Sequence, residues 1–330
     1  MKALVTGGGG FLGRAIVEQL LARGDDVTSF SRGAYPELEA LGVRVVRGDL
    51  QDADAVTRAC AGMDAVFHVA AKAGVWGPWV DFYGVNVVGT QNVIAACRAN
   101  GAPKLINTSS PSVIFDGASQ EGVDESTPYP ARYESPYPHT KAIAEQAVTE
   151  ANGAGLLTVS LRPHLIIGPG DNHLLPGLLA AARAGSLPHV GDGTNRVDLT
   201  YVEDAARAHL LAADALGPGS PVAGRVYFIS QGEPVVLWPW IRELLAELGL
   251  PAPRLRLSPG VARAVGAALE AVYRALPLRG EPRLTRFLAG ELAQSHWYDI
   301  TAARRDFGYA PQLTMAEARA RVVAWLKSSA

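Results

Sequence analysis

Short runs of apolar residues alternate with segments of helical periodicity over the first half of the chain. The apolar runs predict six strands, at Ala3–Val5, Val27–Phe30, Val43–Val46, Ala65–Val69, Lys104–Asn107 and Leu157–Leu161. Helical spacing of apolar residues predicts helices between them, at Phe11–Arg23, Asp81–Asn100 and Tyr137–Asn152. Strands that alternate with helices predict an α/β fold with a doubly wound parallel sheet, whose strands are covered by helices on both faces.

The alternation becomes weaker after Arg162. Proline and glycine cluster at 168–170, 217–219 and 251–253, and helical periodicity returns at about 235–249, 259–276 and 314–327. A chain of 330 residues can hold one large domain with an added lobe, because domains usually contain roughly 100–200 residues. We expect 1–165 to form the core and 166–330 to form mainly a smaller lobe, with some segments returning to the core sheet.

Composition excludes several classes of protein. Apolar residues make up 48% of the chain, which excludes disorder as a description of the whole. A formal net charge of −2 argues against a general nucleic-acid binder. With only Cys60 and Cys97, both in apolar helical stretches, neither a disulfide scaffold nor a cysteine-rich metal site is expected. No apolar run is long enough to span a membrane and no signal peptide is recognisable, so we expect a cytoplasmic protein.

A glycine-rich turn follows the first predicted strand and begins the first predicted helix, with Gly7, Gly10 and Gly13 spaced three residues apart. Glycines at such a turn let the backbone approach a pyrophosphate, and the helix N-terminus supplies free N–H groups and a positive dipole end. The position predicts the dinucleotide-binding loop of a Rossmann-type core, formed by Gly7, Gly10, Phe11, Leu12 and Gly13.

The end of the second predicted strand favours NADP(H). NAD-binding proteins typically place an acid there to hold the ribose 2′-hydroxyl, whereas this strand ends in Ser31 and Arg32. Arg32 can stack on adenine and pair with a 2′-phosphate. After the third strand, Asp49 is followed by Leu50, and both are candidate cofactor contacts. Asp49 either accepts a hydrogen bond from the adenine amino group or caps the next helix.

Tyr137 and Lys141 form a Tyr-x-x-x-Lys motif at the start of a predicted helix. The spacing puts both side chains on one helix face, where an ammonium group would lower the tyrosine pKa from about 10. Tyr137 would then be a proton donor or acceptor. Ser110, just past the fifth strand, can hold a substrate carbonyl by a hydrogen bond. The structural alternatives are an exposed helix pair and a turn residue at a strand end.

These motifs together resemble those of the extended short-chain dehydrogenases/reductases over nearly the whole chain. The resemblance is carried by the glycine loop, Asp49, Ala70-Ala71, Asn86, Ser110, the Tyr137/Lys141 pair and Arg162-Pro163. It implies that Ser110 orients a carbonyl, that Tyr137 protonates it, and that Lys141 binds the nicotinamide ribose and tunes Tyr137. It further implies a role for Asn86 in the proton path, contacts of Ala70 and Ala71 with adenosine and of Pro163 with nicotinamide, and a homodimer.

Residues 195–204 distinguish between branches of this family. Nucleotide-sugar epimerases and dehydratases usually carry a phosphate-binding arginine where this chain has Val197. Val197-Asp198 followed by Thr200-Tyr201-Val202 instead resembles the 3β-hydroxysteroid dehydrogenase/isomerase branch, as do 168–176 and 303–311.

Within that branch the chain is most similar, at 72–77, 170–176 and 295–298, to bacterial reductases of long-chain olefin and β-lactone biosynthesis. Those enzymes use NADPH to reduce a 2-alkyl-3-oxoalkanoate to the 2-alkyl-3-hydroxyalkanoate, a lipid-like small molecule. Trp76 would then line an apolar substrate groove, and Lys72 and His173 are candidate partners for the substrate carboxylate. The alternatives are a sterol or 3β-hydroxysteroid dehydrogenase, a nucleotide-sugar epimerase or dehydratase, and a non-catalytic NADP sensor, a class that tends to lose the Tyr/Lys pair.

The segment from Arg254 to Arg286 is basic and amphipathic, with seven arginines against Glu270 and Glu281. Its apolar stripe consists of Val261, Val265, Ala268, Leu269, Val272 and Leu276. Such a helix either buries its stripe in the lobe or presents it to an anionic membrane or to a partner enzyme of the same pathway.

Overall fold

A computed structural model describes residues 1–276, 278 and 280–329; Arg279, part of the basic segment, lies outside them. Its strands are β1 (Lys2–Thr6), β2 (Asp26–Ser31), β3 (Arg44–Arg47), β4 (Ala65–His68), β5 (Lys104–Thr108), β6 (Gln120–Val123), β7 (Leu157–Pro163), β8 (Ile166–Ile167), β9 (His189–Val190), β10 (Arg196–Val197), β11 (Thr200–Tyr201), β12 (Arg225–Ile229), β13 (Val235–Val236), β14 (Arg256–Leu257) and β15 (His296–Tyr298).

The helices are α1 (Phe11–Ala22), α2 (Pro36–Glu39), α3 (Ala53–Ala59), α4 (Trp79–Phe82), α5 (Gly89–Asn100), α6 (Pro136–Glu150), α7 (Leu174–Arg183), α8 (Val202–Ala215), α9 (Leu237–Glu247), α10 (Pro259–Ala275), α11 (Arg286–Ala293), α12 (Thr301–Phe307) and α13 (Met315–Ser328). A π-helical turn at Tyr83–Val88 separates α4 from α5, and a 3₁₀ turn occupies Pro111–Ile114. The helix predicted at Asp81–Asn100 is therefore interrupted. Among the described residues, none of these helices has both the length and the apolar character needed to cross a membrane.

Seven parallel strands form the main sheet, in the order β12-β7-β5-β4-β1-β2-β3. The six predicted strands are its β1–β5 and β7, so the prediction of a doubly wound parallel α/β sheet is confirmed. The strand order reverses between β1 and β4, and ligands of such sheets bind at the carboxyl ends of the strands where this happens.

Helices cover both faces of the main sheet because its strands alternate their apolar side chains between the two faces. Val5 of β1 packs with Ile16 and Leu20 of α1 on one face, whereas Leu4 packs with Val56 and Val93, from α3 and α5, on the other. Cys60 and Cys97 are buried, unbridged members of this second cluster, as core residues would be. Burial on both faces explains the continuous apolar runs in the sequence.

The two halves of the chain exchange strands. β12, from the second half, completes the main sheet beside β7, whereas β6, from the first half, lies in a second sheet of order β13-β10-β15-β6. A second apolar core joins α7, α9, α10, α11 and α13 to this region. The second half of the chain is thus joined to the main sheet through paired strands as well as through loops.

The apolar stripe of α10 divides between the protein interior and the surface. Leu269 packs against the second core, and its neighbours Ala262 and Gly266 are buried. The opposite face is exposed and carries only apolar side chains: Val261, Ala264, Val265, Ala268, Ala271, Val272, Ala275 and Leu276. Val261 is 49% exposed and Leu276 is 53% exposed. Most of the apolar stripe of α10 is therefore exposed and is not buried in the protein core.

A buried ion pair fixes α6 against β7. The guanidinium of Arg162, on β7, donates to both carboxylate oxygens of Glu145, on α6, at 2.9 and 2.6 Å, and both side chains are almost inaccessible to water. The hydroxyl of Tyr129 donates to the same carboxylate at 2.6 Å. Burial alone would raise the pKa of Glu145, yet the hydrogen bonds and charge of Arg162 hold it below its usual value.

We expect Glu145→Gln to lower the free energy of unfolding by about 3–5 kcal/mol, because the Arg162 charge would stay buried without its partner. The matched control is Glu18→Gln, which breaks an exposed ion pair with Arg14 and should change it by less than about 1 kcal/mol. Urea unfolding of both variants measures the difference. Equal effects of the two substitutions would contradict the importance given to the buried pair.

Candidate active site

A cavity of about 660 Å³ opens at the carboxyl ends of the main-sheet strands. Its wall contains the glycine loop, the ends of β2, β3, β4, β5 and β7, the start of α6, and residues of α11 and β15. It lies where the strand order reverses, which is the usual ligand position in such a sheet. Residues from both halves of the chain therefore enclose the candidate site.

The glycine loop is shaped for close approach by a ligand. Gly7 has a φ of +73°, and a Cβ on Gly13 would lie 2.1 Å from the Gly7 carbonyl oxygen, so neither position tolerates a side chain without strain. No side chain caps the N-terminus of α1, which leaves its first N–H groups available to a phosphate. The Tyr35 ring covers Gly9 and is a cavity residue that the motif analysis missed.

The remaining candidate cofactor contacts lie along the same wall. Phe11, Leu12, Ser31, Arg32, Asp49, Leu50, Ala70, Ala71 and Pro163 all line the cavity. Asp49 does not cap the following helix, because its carboxylate accepts from the N–H of Gln51 at 2.9 Å. Asp52 caps α3 instead, by accepting from the N–H of Ala55. Of the two sequence interpretations of Asp49, the cap is therefore wrong.

Ser110, Tyr137 and Lys141 line the cavity together. Ser110 follows β5, and its hydroxyl accepts from the Ser112 N–H at 3.2 Å and lies 2.9 Å from the Ser112 hydroxyl. Lys141 is buried, and its Nζ donates to the Thr108 carbonyl at 2.6 Å. Burial lowers the pKa of Lys141 to about 8, although the nearby Glu145 carboxylate opposes this. The three side chains are thus held on one strand end and one helix.

The pKa of Tyr137 differs from the sequence expectation. Burial raises the pKa of this phenol, and a hydrogen bond with Ser110 lowers it by less than burial raises it. The pKa of Tyr137 is therefore not lowered as the Tyr-x-x-x-Lys spacing predicted, because burial has the larger effect. Tyr137 is consequently held as a neutral phenol, which is the form that can donate a proton.

Asn86 lies behind this group rather than in the cavity wall. It sits in the π-helical turn, where its side-chain oxygen accepts from the Lys72 N–H at 2.7 Å and its amide donates to the Lys72 carbonyl at 3.2 Å. The same amide donates to Thr140, on α6, at 3.0 Å. Asn86 thus joins the segment after β4 to the helix of Tyr137 and Lys141, and π-helical turns often occur at functional sites.

The candidate substrate residues are placed differently from one another. His173 lines the cavity and precedes α7. Lys72 and Trp76 are absent from the cavity wall as far as the described residues define it. The Lys72 Nζ lies 3.9 Å from the Asp81 carboxylate, and Trp76 packs edge-on against Tyr273 of α10 with ring centres 6.3 Å apart. The carboxylate and groove roles predicted for Lys72 and Trp76 are therefore not supported by position.

Sequence motifs missed a polar part of the wall that the lobe supplies. His164, Phe287, Glu291 and Tyr298 line the cavity; His164 directly follows Arg162-Pro163, and Tyr298 lies in the recognised segment 295–298, to which no site role was assigned. The Nε2 atom of His164 lies 2.6 Å from Nδ1 of His296, and Nε2 of His296 lies 2.8 Å from the Glu291 carbonyl. The sequence contained one signal for His164, because its imidazole directly follows Pro163, a predicted cofactor contact.

A cleft with the glycine loop, Ser110, Tyr137 and Lys141 in its wall defines an oxidoreductase of the short-chain dehydrogenase/reductase type, acting on hydroxyl and keto groups. The model of the 3-beta hydroxysteroid dehydrogenase/isomerase family matches residues 4–258. The chain belongs to that family, as the sequence resemblance predicted.

Several proteins are similar to this chain over nearly its full length. A 2-alkyl-3-oxoalkanoate reductase of Stenotrophomonas maltophilia is 51% identical, over 98% of this chain and 99% of that protein. A decarboxylating sterol-4-alpha-carboxylate 3-dehydrogenase of Mus musculus is 35% identical, over 98% and 90%. The solved structure of MoeE5 in complex with UDP-glucose and NAD is 27% identical and has a TM-score of 0.77, covering 100% of this chain and 99% of that one.

Proposed function

We propose that this chain reduces a 2-alkyl-3-oxoalkanoate to the 2-alkyl-3-hydroxyalkanoate with NADPH. The observation that carries the proposal is one cavity that contains both the glycine loop and the Ser110, Tyr137 and Lys141 side chains. The substrate class rests on the 51% identity to a reductase of that name over nearly the full length of both chains. A place in long-chain olefin or β-lactone biosynthesis, a homodimeric state and a cytoplasmic location stay predictions.

The residues present fit a bound dinucleotide. Gly7, Gly10 and Gly13 leave room for a pyrophosphate, the uncapped N-terminus of α1 faces it, and Pro163 and Lys141 stand where the nicotinamide end would lie. NADPH, when bound, supplies a hydride to the ketone carbon. Ser110 would donate a hydrogen bond to the ketone oxygen, and the neutral Tyr137 phenol would give that oxygen its proton. The Lys141 ammonium group, held by Thr108, would stabilise the phenolate that remains.

Arg32 favours NADPH over NADH in this proposal. β2 ends at Ser31, no acid stands at its end, and Arg32 follows it and lines the cavity. Arg47, paired with Ser31 in the register of β2 with β3, lines a separate pocket with Thr28 and Arg44. Arg32 is therefore the guanidinium that we expect to pair with a 2′-phosphate.

The alternative substrates differ in what the chain offers them. A sterol acid keeps support from the 35% identical dehydrogenase, whose name states such a substrate. A nucleotide sugar has less support, because Val197, which is buried in β10, stands where that branch usually has a phosphate-binding arginine. The presence of Tyr137 and Lys141 argues against an NADP sensor without turnover.

We also propose that the exposed apolar face of α10 rests on an anionic lipid surface. Arg254, Arg256 and Arg283 are exposed, and no ion pair of theirs occurs within the part of the chain that the structure describes. Arg274, with its side chain 61% exposed, borders the apolar face and pairs with Glu270 at 3.2 Å. An apolar helix face, together with Arg254, Arg256 and Arg283 of the same segment, complements a bilayer of negatively charged lipids.

The position of this surface suits a lipid-like substrate. Arg274 lies over the Trp76 ring, 5.2 Å from its centre, and Trp76 directly follows cavity residues Ala73, Gly74 and Val75. Phe287, in the next helix, also lines the cavity. The proposed lipid contact is therefore continuous with one edge of the cavity, where alkyl chains could enter without crossing water.

The function is tested by NADPH oxidation with three substrates: a 2-alkyl-3-oxoalkanoate, a 3-keto steroid and a nucleotide sugar. We expect turnover of the oxoalkanoate, and a loss of kcat of at least about 100-fold in Tyr137→Phe with unchanged NADPH affinity. Tyr133→Phe, which removes a hydroxyl bound to the Val113 carbonyl, is the matched control and should retain turnover. Preference for the steroid or the sugar would reassign the substrate.

Cofactor choice is tested by Arg32→Ala. A charge-assisted hydrogen bond contributes about 1.5–3 kcal/mol, so NADPH affinity should fall about 10- to 150-fold while NADH affinity changes little. Fluorescence titration with both cofactors measures the difference, and Arg47→Ala, which removes a guanidinium outside the described cavity wall, is the matched control and should leave both affinities unchanged. An equal loss for both cofactors would show that Arg32 does not read the 2′-phosphate.

The lipid contact is tested by co-sedimentation with phosphatidylglycerol vesicles and with neutral phosphatidylcholine vesicles. Binding should require phosphatidylglycerol, weaken with salt, and fall about tenfold or more in Val265→Ser/Val272→Ser. Leu41→Ser, an exposed apolar position outside the segment, should bind as the wild type does. Absence of vesicle binding would overturn the proposal, and a dimer dissociated by the double variant would assign the face to a second copy.

A further inference from the structure

His164 lies close to the position expected for the substrate ketone. Register pairs Thr108 of β5 with Leu161 of β7, and the Ser109 N–H continues the pairing with a 2.6 Å bond to the Leu161 carbonyl. Ser110 and Pro163 are therefore neighbours at adjacent strand ends, and His164 is one residue further. Parallel strands are about 4.8 Å apart, so the His164 backbone is within a few ångströms of the Ser110 backbone.

The hydrogen bonds around His164 leave one ring nitrogen free to act on a ligand. The Glu291 carbonyl can only accept, so Nε2 of His296, 2.8 Å away, must carry a hydrogen. With His296 uncharged, its Nδ1 accepts from Nε2–H of His164. The Nδ1 atom of His164 then has no hydrogen, and within the described residues it makes no hydrogen bond. This atom belongs to a residue of the cavity wall.

The backbone at His164 is rigid and locally strained. The His164 N–H donates to the Ile229 carbonyl at 3.1 Å, and the His164 carbonyl accepts from the Thr200 hydroxyl at 2.5 Å. Leu165, the next residue, has a φ of +34°, which a branched side chain rarely adopts. Backbone strain of this kind persists where surrounding contacts impose it and is concentrated at functional sites.

The groups around the ring include both acids and bases. His296 and Tyr298 pack edge-on against it, and the charges of Glu291, Asp198 and Arg162 act on Tyr298. The other titratable groups of the wall are Arg32, Tyr35, Asp49, Tyr137, Lys141, Asp171 and His173. Burial is the largest cause that lowers the pKa of His164 well below its usual value, and burial raises the pKa of Glu291. Burial also raises the pKa of Asp198 to about 6. An anion bound here would favour the protonated imidazole.

We propose that His164, supported by His296, forms the subsite for the carboxylate of the substrate. This inference rests on the proposed function, because a 2-alkyl-3-oxoalkanoate carries its carboxylate one carbon away from the ketone. As the carboxylate binds, Nδ1 of His164 takes one proton from solvent and donates it in a hydrogen bond to the carboxylate. The positive charge is shared with His296, whose Nε2 lies 3.8 Å from the Glu291 carboxylate. No substrate bond breaks in this step.

The experiment follows oxidation of the stable product, a 2-alkyl-3-hydroxyalkanoate, and of its methyl ester, with NADP⁺. In the wild type, KM for the acid should rise with pH by up to about tenfold per pH unit above neutrality, because binding takes up a proton, whereas KM for the ester should stay constant. His164→Gln should raise KM for the acid about 10- to 100-fold, leave the ester unchanged, and remove the pH slope.

The controls separate a carboxylate subsite from a structural role. His139→Gln, at an exposed imidazole outside the cavity wall, should keep the wild-type ratio of acid and ester KM values. If His164→Gln does not fold, as judged by NADPH binding, His296→Gln leaves the His164 ring in place and should still raise KM for the acid alone. Calorimetry in buffers of different ionisation enthalpy should detect uptake of about one proton on binding of the acid.

Each failure has its own signature. Wild-type enzyme that oxidises neither acid nor ester would overturn the proposed function and, with it, this subsite. Wild-type enzyme that oxidises both with the same KM would leave the function intact and remove the carboxylate subsite. A KM ratio unchanged in His164→Gln but altered in His173→Gln would move the subsite to His173.

Discussion

Arg162 and Glu145 carry opposite charges in a region that water does not reach, and neither can move away without leaving the other charge buried. Lys141 lies one helical turn before Glu145, and Pro163 and His164 follow Arg162 directly. The pair therefore sets the distance between the helix of the proposed proton donor and the strand end beneath the nicotinamide site. The Arg162 guanidinium also lies over the Phe228 ring at 5.1 Å, which joins β12 to the same arrangement.

Much of the fold was predictable because most strands of the main sheet are buried on both faces and therefore form apolar runs, and the half-buried edge strand β3 still contains Val45 and Val46. The main-sheet strand that was not predicted is β12, Arg225–Ile229, although its β-branched and aromatic residues favour a strand. Strand propensity does not indicate which sheet a strand joins, and α7, α8 and several short strands separate β12 from β7 in the sequence. Which edge such a strand joins is decided by tertiary packing, which a local pattern does not contain.

The candidate site divides in the same way. Tyr137 with Lys141, and the residues of the glycine loop, were predictable because spacing within one element brings their groups together, and Ser110 because it directly follows a predicted strand. The positions of Glu291, in the cavity wall, and of His296, hydrogen-bonded behind His164, were not, since β15 comes to this place only when it pairs with β6 and β10. The role predicted for Lys72 rested on its position directly after Ala70-Ala71 in the sequence, and adjacency in sequence does not determine where a side chain lies. Asn86 holds both backbone groups of Lys72, and its side chain extends over the Phe82 ring toward Asp81 instead.

The late position of β12 in the chain has a consequence during synthesis on the ribosome. Six strands of the main sheet are complete once Pro163 has emerged, but the partner of β7 ends only at Ile229. Until then β7 is an edge strand with unpaired backbone groups, and Arg162 and Glu145 lack the cover that Phe228 gives them. Nascent chains of this length expose an aggregation-prone edge, so folding yield should depend on how quickly the following 66 residues are translated or on a chaperone that shields that edge.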